Sequence, residues 1–169
     1  MAEELKGSGG DFCVRRAVLA DCPAMLGLVK ELANYEKALD RVSISLAEME
    51  ACGFGPHPLW GAFVVELTPP QSPTGEAQDP IIVGMALYYD RYSTWRGRLL
   101  YLEDFMVSKA YRGDGIGHQL FTAVLEHAKA KKYHGMTWQV LDWNEPALNF
   151  YRNHHAELDA EWINGSIYF

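Results

Sequence analysis

The chain has 169 residues, 49% of them hydrophobic, and a formal charge of −7, with 22 acidic side chains against 15 basic ones. Length and composition suit one domain with a sizeable core and exclude a disordered or fibrous chain. The acidity opposes nucleic acid as a partner and favours cationic ones, and no apolar run approaches the roughly 20 residues that span a bilayer.

Residues 1–10 read as a flexible tail without the basic-then-apolar pattern of an export signal, and residues 11–169 as a single domain, so the expected compartment is the cytoplasm. Cys13, Cys22 and Cys52 are odd in number and far apart, which argues for reduced thiols. The histidines do not fall at zinc spacing, and no metal is expected.

A first strand is expected over Phe12–Ala17. Asp21 can cap a helix with Pro23 in its first turn, and Met25, Leu28, Val29 and Leu32 form one apolar stripe along it. That helix is expected to run to about Tyr35-Glu36. Ser43 or Ser45 starts a shorter one, ended by Gly53. Strands follow at Leu59–Leu67 and Ile81–Tyr89, joined by the surface loop Thr68–Pro80. Ser93–Arg98 turns the chain into a third strand of this group.

That strand, Leu99–Val107, is apolar on both alternating faces, the mark of a central strand covered above and below. Two carboxylates interrupt it, Glu103 and Asp104, and a period of two sends them to opposite faces. Arg112-Gly113-Asp114-Gly115-Ile116-Gly117 follows, then a helical stretch that includes Leu120 and Val124. Glycines at a strand-to-helix turn let backbone N–H groups approach a bound group, and the helix terminus adds partial positive charge. The turn therefore suits a diphosphate, although it lacks the Walker Lys-Ser/Thr pair and the dinucleotide spacing. Without a ligand it is a tight turn. Arg112-Gly113-Asp114 also spells an adhesion tripeptide, against which the missing export signal argues.

Met136–Trp143 is expected to be a strand, and Asn144 the cap of a helix with Pro146 in its first turn, ending near Asn153. Tyr151 lies seven residues after Asn144, on the same helix face and about 10.5 Å along it. Asn164-Gly165 between β-prone runs signals a hairpin. The order is β-α-α-β-β-β-α-β-α-β-β, an α/β fold with a mixed sheet and a central parallel pair joined by the helix after the glycine loop.

Four strings, KELANYEK at Lys30–Lys37, GFGPHP at Gly53–Pro58, LLYLEDFMV with YRGDGIG, and DWNEPALNFY at Asp142–Tyr151, together resemble one family. It is the diamine (spermidine/spermine) N-acetyltransferases with their thialysine-acetylating relatives, within the GNAT superfamily, and the resemblance covers about residues 14–161. It implies the GNAT fold, a mixed central sheet splayed into a V and flanked by helices, with acetyl-CoA in the V. It also implies a cytosolic homodimer.

The resemblance also implies roles for individual residues. Glu103 is the base and contacts substrate, and Tyr151 is the acid. Backbone groups of Phe105, Met106 and Val107 meet the pantetheine arm. Arg112 and the N–H groups from Gly113, Asp114, Gly115, Ile116, Gly117 and His118 hold the diphosphate. Asn144, Glu145, Pro146, Ala147 and Tyr151 touch the rest of the coenzyme. Tyr35 and Glu36 lie near the amine. Trp138 and Gln139 are placed on the cleft-facing strand by position only, where the chain departs from the polyamine enzymes. Each residue has a plain structural reading beside this one: Glu103 as a buried ion-pair member, Tyr151 as core filler, Asn144 as a cap, Tyr35-Glu36 as a solvated helix end. Asp104 is read as structural.

The implied reaction moves acetyl from acetyl-CoA directly to a primary amine of a small cationic substrate. An amine of pKa ~10.4 is neutral in about one molecule in 2,500 at pH 7, so a base is needed, and a departing thiolate benefits from a proton donor. Leu141-Asp142-Trp143 and Ser93–Arg98 are more similar to the thialysine branch; His155 replaces an expected Gly, and the tail after Glu161 is short. Two other functions stand beside this one: acetylation of protein lysines or N-termini, and a non-catalytic CoA-binding module.

Overall fold

In the computed structural model, which describes residues 5–7, 10–71, 75 and 77–169, the β-prone segments pair as antiparallel neighbours in chain order. The strands are β1 (Leu5–Gly7), β2 (Gly10–Arg16), β3 (Gly61–Thr68), β4 (Ile81–Ser93), β5 (Gly97–Val107) and β6 (Met136–Trp138). The helices are α1 (Cys22–Tyr35), α2 (Leu46–Phe54), α3 (Ile116–Ala130) and α4 (Glu145–Asn153). The expected tail and the Thr68–Pro80 loop lie partly outside the described residues. The chain divides into two compact units, Met1–Thr137 and Trp138–Phe169.

In the first unit, β1 through β5 form consecutive antiparallel pairs. β6 follows β5 in the sheet order. His134 donates to the Arg98 carbonyl and Leu100 to that of Gly135, so the two segments advance in the same direction, as parallel neighbours do. The α3 crossover joins them, as its position between two apolar strands requires.

Both faces of the sheet are covered. On one, Met25 and Leu28 of α1 and Met49 of α2 pack on Ala62, Val64, Met85, Leu87 and Met106. On the other, α3 buries Ile116, Leu120, Phe121 and Val124, and the Phe121 ring lies 5.5 Å from that of Phe105. Each fully buried side chain of this size contributes about 1.5–3 kcal/mol. Double coverage is why Leu99–Val107 has no polar side.

Several local expectations change. β4 extends to Ser93, which makes the β4–β5 connection a tight hairpin with Gly97 at φ +77°. Asp21 sits at the start of α1 but does not cap it. Its carboxylate accepts from the Val18 N–H at 2.8 Å and from Arg15, which also reaches Glu66, and the Arg15 bond holds Asp21 below its ordinary pKa. Ser45 does cap α2, accepting from the Glu48 N–H at 3.1 Å. Gly53 lies inside α2 and does not end it; a Cβ there would fall 2.1 Å from the Trp60 ring, so close packing selects the glycine.

In the second unit, Asn144 caps α4 by accepting from the Ala147 N–H at 3.4 Å. Only Met136–Trp138 of the expected strand to Trp143 is extended in a ladder. Asn164-Gly165 makes no hairpin: residues 156–169 have no regular structure, and the Gln139 amide donates to the Asn164 side chain instead.

Candidate active site

The site in the first unit is built on an irregularity of β5. Leu87 pairs with Asp104, but Tyr88 pairs with Leu102, so Glu103 is an extra residue bulged out of the ladder. The expectation that Glu103 and Asp104 face opposite sides therefore fails, because a bulge breaks the period of two. Asp104 shares the α1 face with its partner Leu87, a member of the core under α1. Glu103 turns to that same side, in hydrogen-bonding reach of the Tyr89 hydroxyl, and Tyr89 pairs with Tyr101 on that face.

Glu36 follows the last turn of α1 and completes a set of three carboxylates. Burial first, then the fields of Glu103 and Glu36, push the Asp104 carboxyl up to about 6. Burial raises Glu36 as well. Burial and then the Glu103 charge raise Tyr89 to about 12 and raise Tyr101 in the same way. The Arg91 guanidinium lies 5.5 Å from the Tyr101 ring and offsets part of that field. The result is a cluster of carboxylates beside two tyrosines, which favours a cation.

The glycine loop leaves β5 through a short 3-10 turn, Lys109–Tyr111. Gly113 has φ +105° and Gly115 φ +75°, values that only glycine adopts without strain. A Cβ at Gly113 would meet nothing within 4 Å, and Gly115 starts α3 with no side-chain cap. With glycine at 113, 115 and 117, every second position of the loop and first turn carries no side chain, which suits close approach of a diphosphate to the N–H groups. Met106 and Ile116 are buried in the core, which leaves their backbone groups for any such contact. Arg112 donates through Nε to the Val107 carbonyl at 2.7 Å, and its guanidinium carbon lies 5.9 Å from the Tyr35 ring.

In the second unit, Tyr151 is buried and its ring centroid lies 4.7 Å from that of Trp138. Burial holds its phenol well above the usual range, so it keeps its proton at neutral pH and can donate it. Gln139 and Asn144–Ala147 belong to this unit too. Among the described residues, no group of three or more His, Cys, Asp or Glu side chains is placed to hold a metal ion, and no helix is long and apolar enough to cross a membrane.

The residues that sequence reasoning missed are Asp104, Tyr89 and Tyr101. A bulge leaves no signature in hydrophobic alternation. The only available cue was the adjacent pair of carboxylates in an otherwise apolar strand.

Comparison with known proteins gives a consistent result. The model of the acetyltransferase (GNAT) family matches residues 40–156. The thialysine N-epsilon-acetyltransferase of Bos taurus is 44% identical over 139 residues, 82% of this chain and 80% of that protein. The spermidine/spermine N(1)-acetyltransferase-like protein 1 of Homo sapiens is 37% identical over 151 residues, 89% of this chain but only 21% of that longer protein. Among solved structures, the aminoglycoside N-acetyltransferase AAC(6')-Iy in complex with CoA aligns with a TM-score of 0.71 at 17% identity, over 96% of this chain and 99% of that one, a likeness of fold.

Proposed function

This chain belongs to the GNAT acetyltransferase family, and we propose that it is an acetyl-CoA-dependent N-acetyltransferase acting on a primary amine of a small thialysine-like or polyamine substrate. The observation that carries this reading is the carboxylate set Glu36, Glu103 and Asp104, gathered by the β5 bulge beside Tyr89 and Tyr101. Such a site attracts an ammonium group and supplies an acceptor for its proton.

The chemistry divides among named groups. The amine enters as its cation and must lose a proton before attack, at a cost of about 4.6 kcal/mol at pH 7 for a pKa near 10.4. Glu103 takes that proton, directly or through water. The neutral nitrogen attacks the thioester carbonyl, a C–N bond forms and the C–S bond breaks, and the second N–H proton leaves the tetrahedral adduct to restore, through water, the phenol that protonates the sulfur. Tyr151 gives its proton to the departing sulfur, a role supported by the burial that keeps the phenol protonated. The diphosphate rests on the N–H groups from Gly113 to His118, and the backbone of Phe105 and Val107 meets the pantetheine arm. Asn144 and Ala147 touch the coenzyme while Asn144 caps α4. Tyr35, Trp138 and Gln139 border the amine. A homodimer in the cytosol is part of the same reading, as are a V-shaped opening of the sheet and a single domain over residues 11–169.

An amine panel tests the proposal. Thiol release from acetyl-CoA is followed with thialysine, spermidine and a histone-tail peptide. The reading expects the small amines to turn over at least tenfold faster than the peptide. A preference for the peptide would favour a protein acetyltransferase, and no release with any of the three would leave a CoA-binding module.

A further inference from the structure

The loop after β5 is gripped from the side by α1. Glu31 and Tyr35 stand four residues apart and so share one face of that helix. The Glu31 Oε1 accepts from the Ser108 hydroxyl at 3.2 Å and from the Lys109 N–H at 3.0 Å. One turn further on, the Tyr35 ring meets the Arg112 guanidinium at 5.9 Å. The same guanidinium donates through Nε to the Val107 carbonyl at 2.7 Å, in a part-buried bond. One side chain therefore joins the end of β5, the entry to the glycine loop and the last turn of α1.

The Nε–H is spent on the Val107 carbonyl and the guanidinium lies beside Tyr35, so only its Nη groups remain for an outside ligand. The Nε bond anchors the guanidinium at the end of β5, with its carbon 5.9 Å from the Tyr35 ring. It also engages the carbonyl of Val107, one of the β5 residues whose backbone is assigned to the pantetheine arm. Tyr35 adjoins Glu36, whose field reaches Asp104. We propose that Arg112 is a positioning residue, tying the glycine loop to the C-terminal end of α1 and so holding Tyr35 and Glu36 in place for the amine, instead of a direct ligand of the diphosphate. This inference rests on the reading of function given above.

The chemistry of the two basic side chains makes it testable. Lysine keeps the charge but is a point donor, so it cannot bond a carbonyl and cover a ring at the same time. Glutamine removes the charge altogether. We would compare Arg112→Lys, Arg112→Gln, Tyr35→Leu and the Arg112→Lys/Tyr35→Leu double variant of the full chain, measuring the amine KM by thiol release and the CoA dissociation constant by calorimetry. Both Arg112 variants are expected to raise the amine KM about two- to fivefold, the range for an exposed cation–π contact, with CoA affinity within twofold of wild type. The double variant should be no worse than Tyr35→Leu alone. A tenfold loss of CoA affinity in Arg112→Gln, restored in Arg112→Lys, would make Arg112 a diphosphate ligand. Additive effects in the double variant would break the link to Tyr35. A wild-type protein that neither binds CoA nor releases thiol would instead remove the functional reading, and this inference with it.

Discussion

The Tyr89 hydroxyl lies in hydrogen-bonding reach of the Glu103 carboxylate across the β4–β5 ladder. Because burial and the Glu103 charge push the phenol up to about 12, Tyr89 stays protonated at every working pH and, on the proposed mechanism, does not compete with Glu103 for the proton of the amine. Glu103→Gln is therefore expected to lower kcat/KM for the amine by about 10²–10⁴-fold, the usual contribution of a general base. Tyr89→Phe removes only the neighbouring hydroxyl and should cost less than tenfold. Initial rates of thiol release measure both, and a Glu103→Gln enzyme with the wild-type rate would remove Glu103 from the chemistry.

Tyr151 makes a separate prediction. Its phenol is raised by burial, so it does not ionise within the pH range of an ordinary assay. Tyr151→Phe should lower kcat by about 10²-fold while leaving the KM for acetyl-CoA within a few fold. The kcat–pH profile of the wild type should carry no alkaline limb from this residue up to pH 10. A limb near pH 9 that disappears in Tyr151→Phe would contradict the assignment.

Asp104 couples the site to stability. Its folded-state pKa of about 6 lies above the ordinary aspartate value of 3.8, so between these two pH values the folded state binds more protons than the unfolded one. Stability from this group therefore falls as pH rises from about 4 to 6, by on the order of 3 kcal/mol at most. Asp104→Asn should raise the melting temperature at pH 7 and flatten that part of the profile. His127, held below its ordinary value by burial and by Arg16 at 2.7 Å, contributes with the opposite sign below pH 6.5. Because His127 is present in both proteins, subtracting the two profiles cancels it. Equal melting temperatures for wild type and Asp104→Asn at pH 4 and at pH 7 would contradict this account.

The end of α4 supplies a stability test away from the site. His155 has φ +59°, and the bonds His155 N–H to Arg152 carbonyl at 2.9 Å and Ala156 N–H to Tyr151 carbonyl at 3.1 Å form the paired closure of a left-handed helix stop. A side chain in that conformation costs about 1 kcal/mol relative to glycine. His155→Gly should therefore raise stability by about 0.5–1 kcal/mol, read from the denaturant midpoint at constant slope. A lower midpoint would show that the imidazole contributes something the backbone geometry does not explain.

The helix ends were legible even without the usual terminator: α1 stops at Tyr35 and α4 at Asn153, as expected. α1, α3 and α4 close through Lys37, Lys132 and His155, all at φ near +57° to +59° and none of them glycine, so the usual terminator was missing from the text. The glycine that was read as a terminator, Gly53, serves to admit Trp60. The large pattern was legible because it rests on burial. The α1 stripe of Met25, Leu28, Val29 and Leu32 and the two-sided run from Leu99 are core residues, and core residues impose a period. Glycine 113 and 115 were legible for a different reason: positive φ leaves few alternatives. The carboxylate set was not legible as a unit. Glu103 could be singled out, but Asp104 joins it only because a bulge inserts one residue, and Glu36 only because α1 ends where it does. At the C-terminus, Asn164-Gly165 has the composition of a hairpin, but a side-chain bond to Gln139 takes the place of a ladder.

The central claim is that acetyl passes from the thioester to an amine nitrogen. The most direct test incubates the protein with acetyl-CoA carrying an isotopic label in the acetyl group, together with thialysine, and follows thiol and labelled product by mass spectrometry. The account predicts labelled N-acetyl amine forming one for one with free thiol, abolished to background in the Glu103→Gln/Tyr151→Phe double variant. Thiol released without labelled amine, or labelled amine formed equally fast by the double variant, would contradict it.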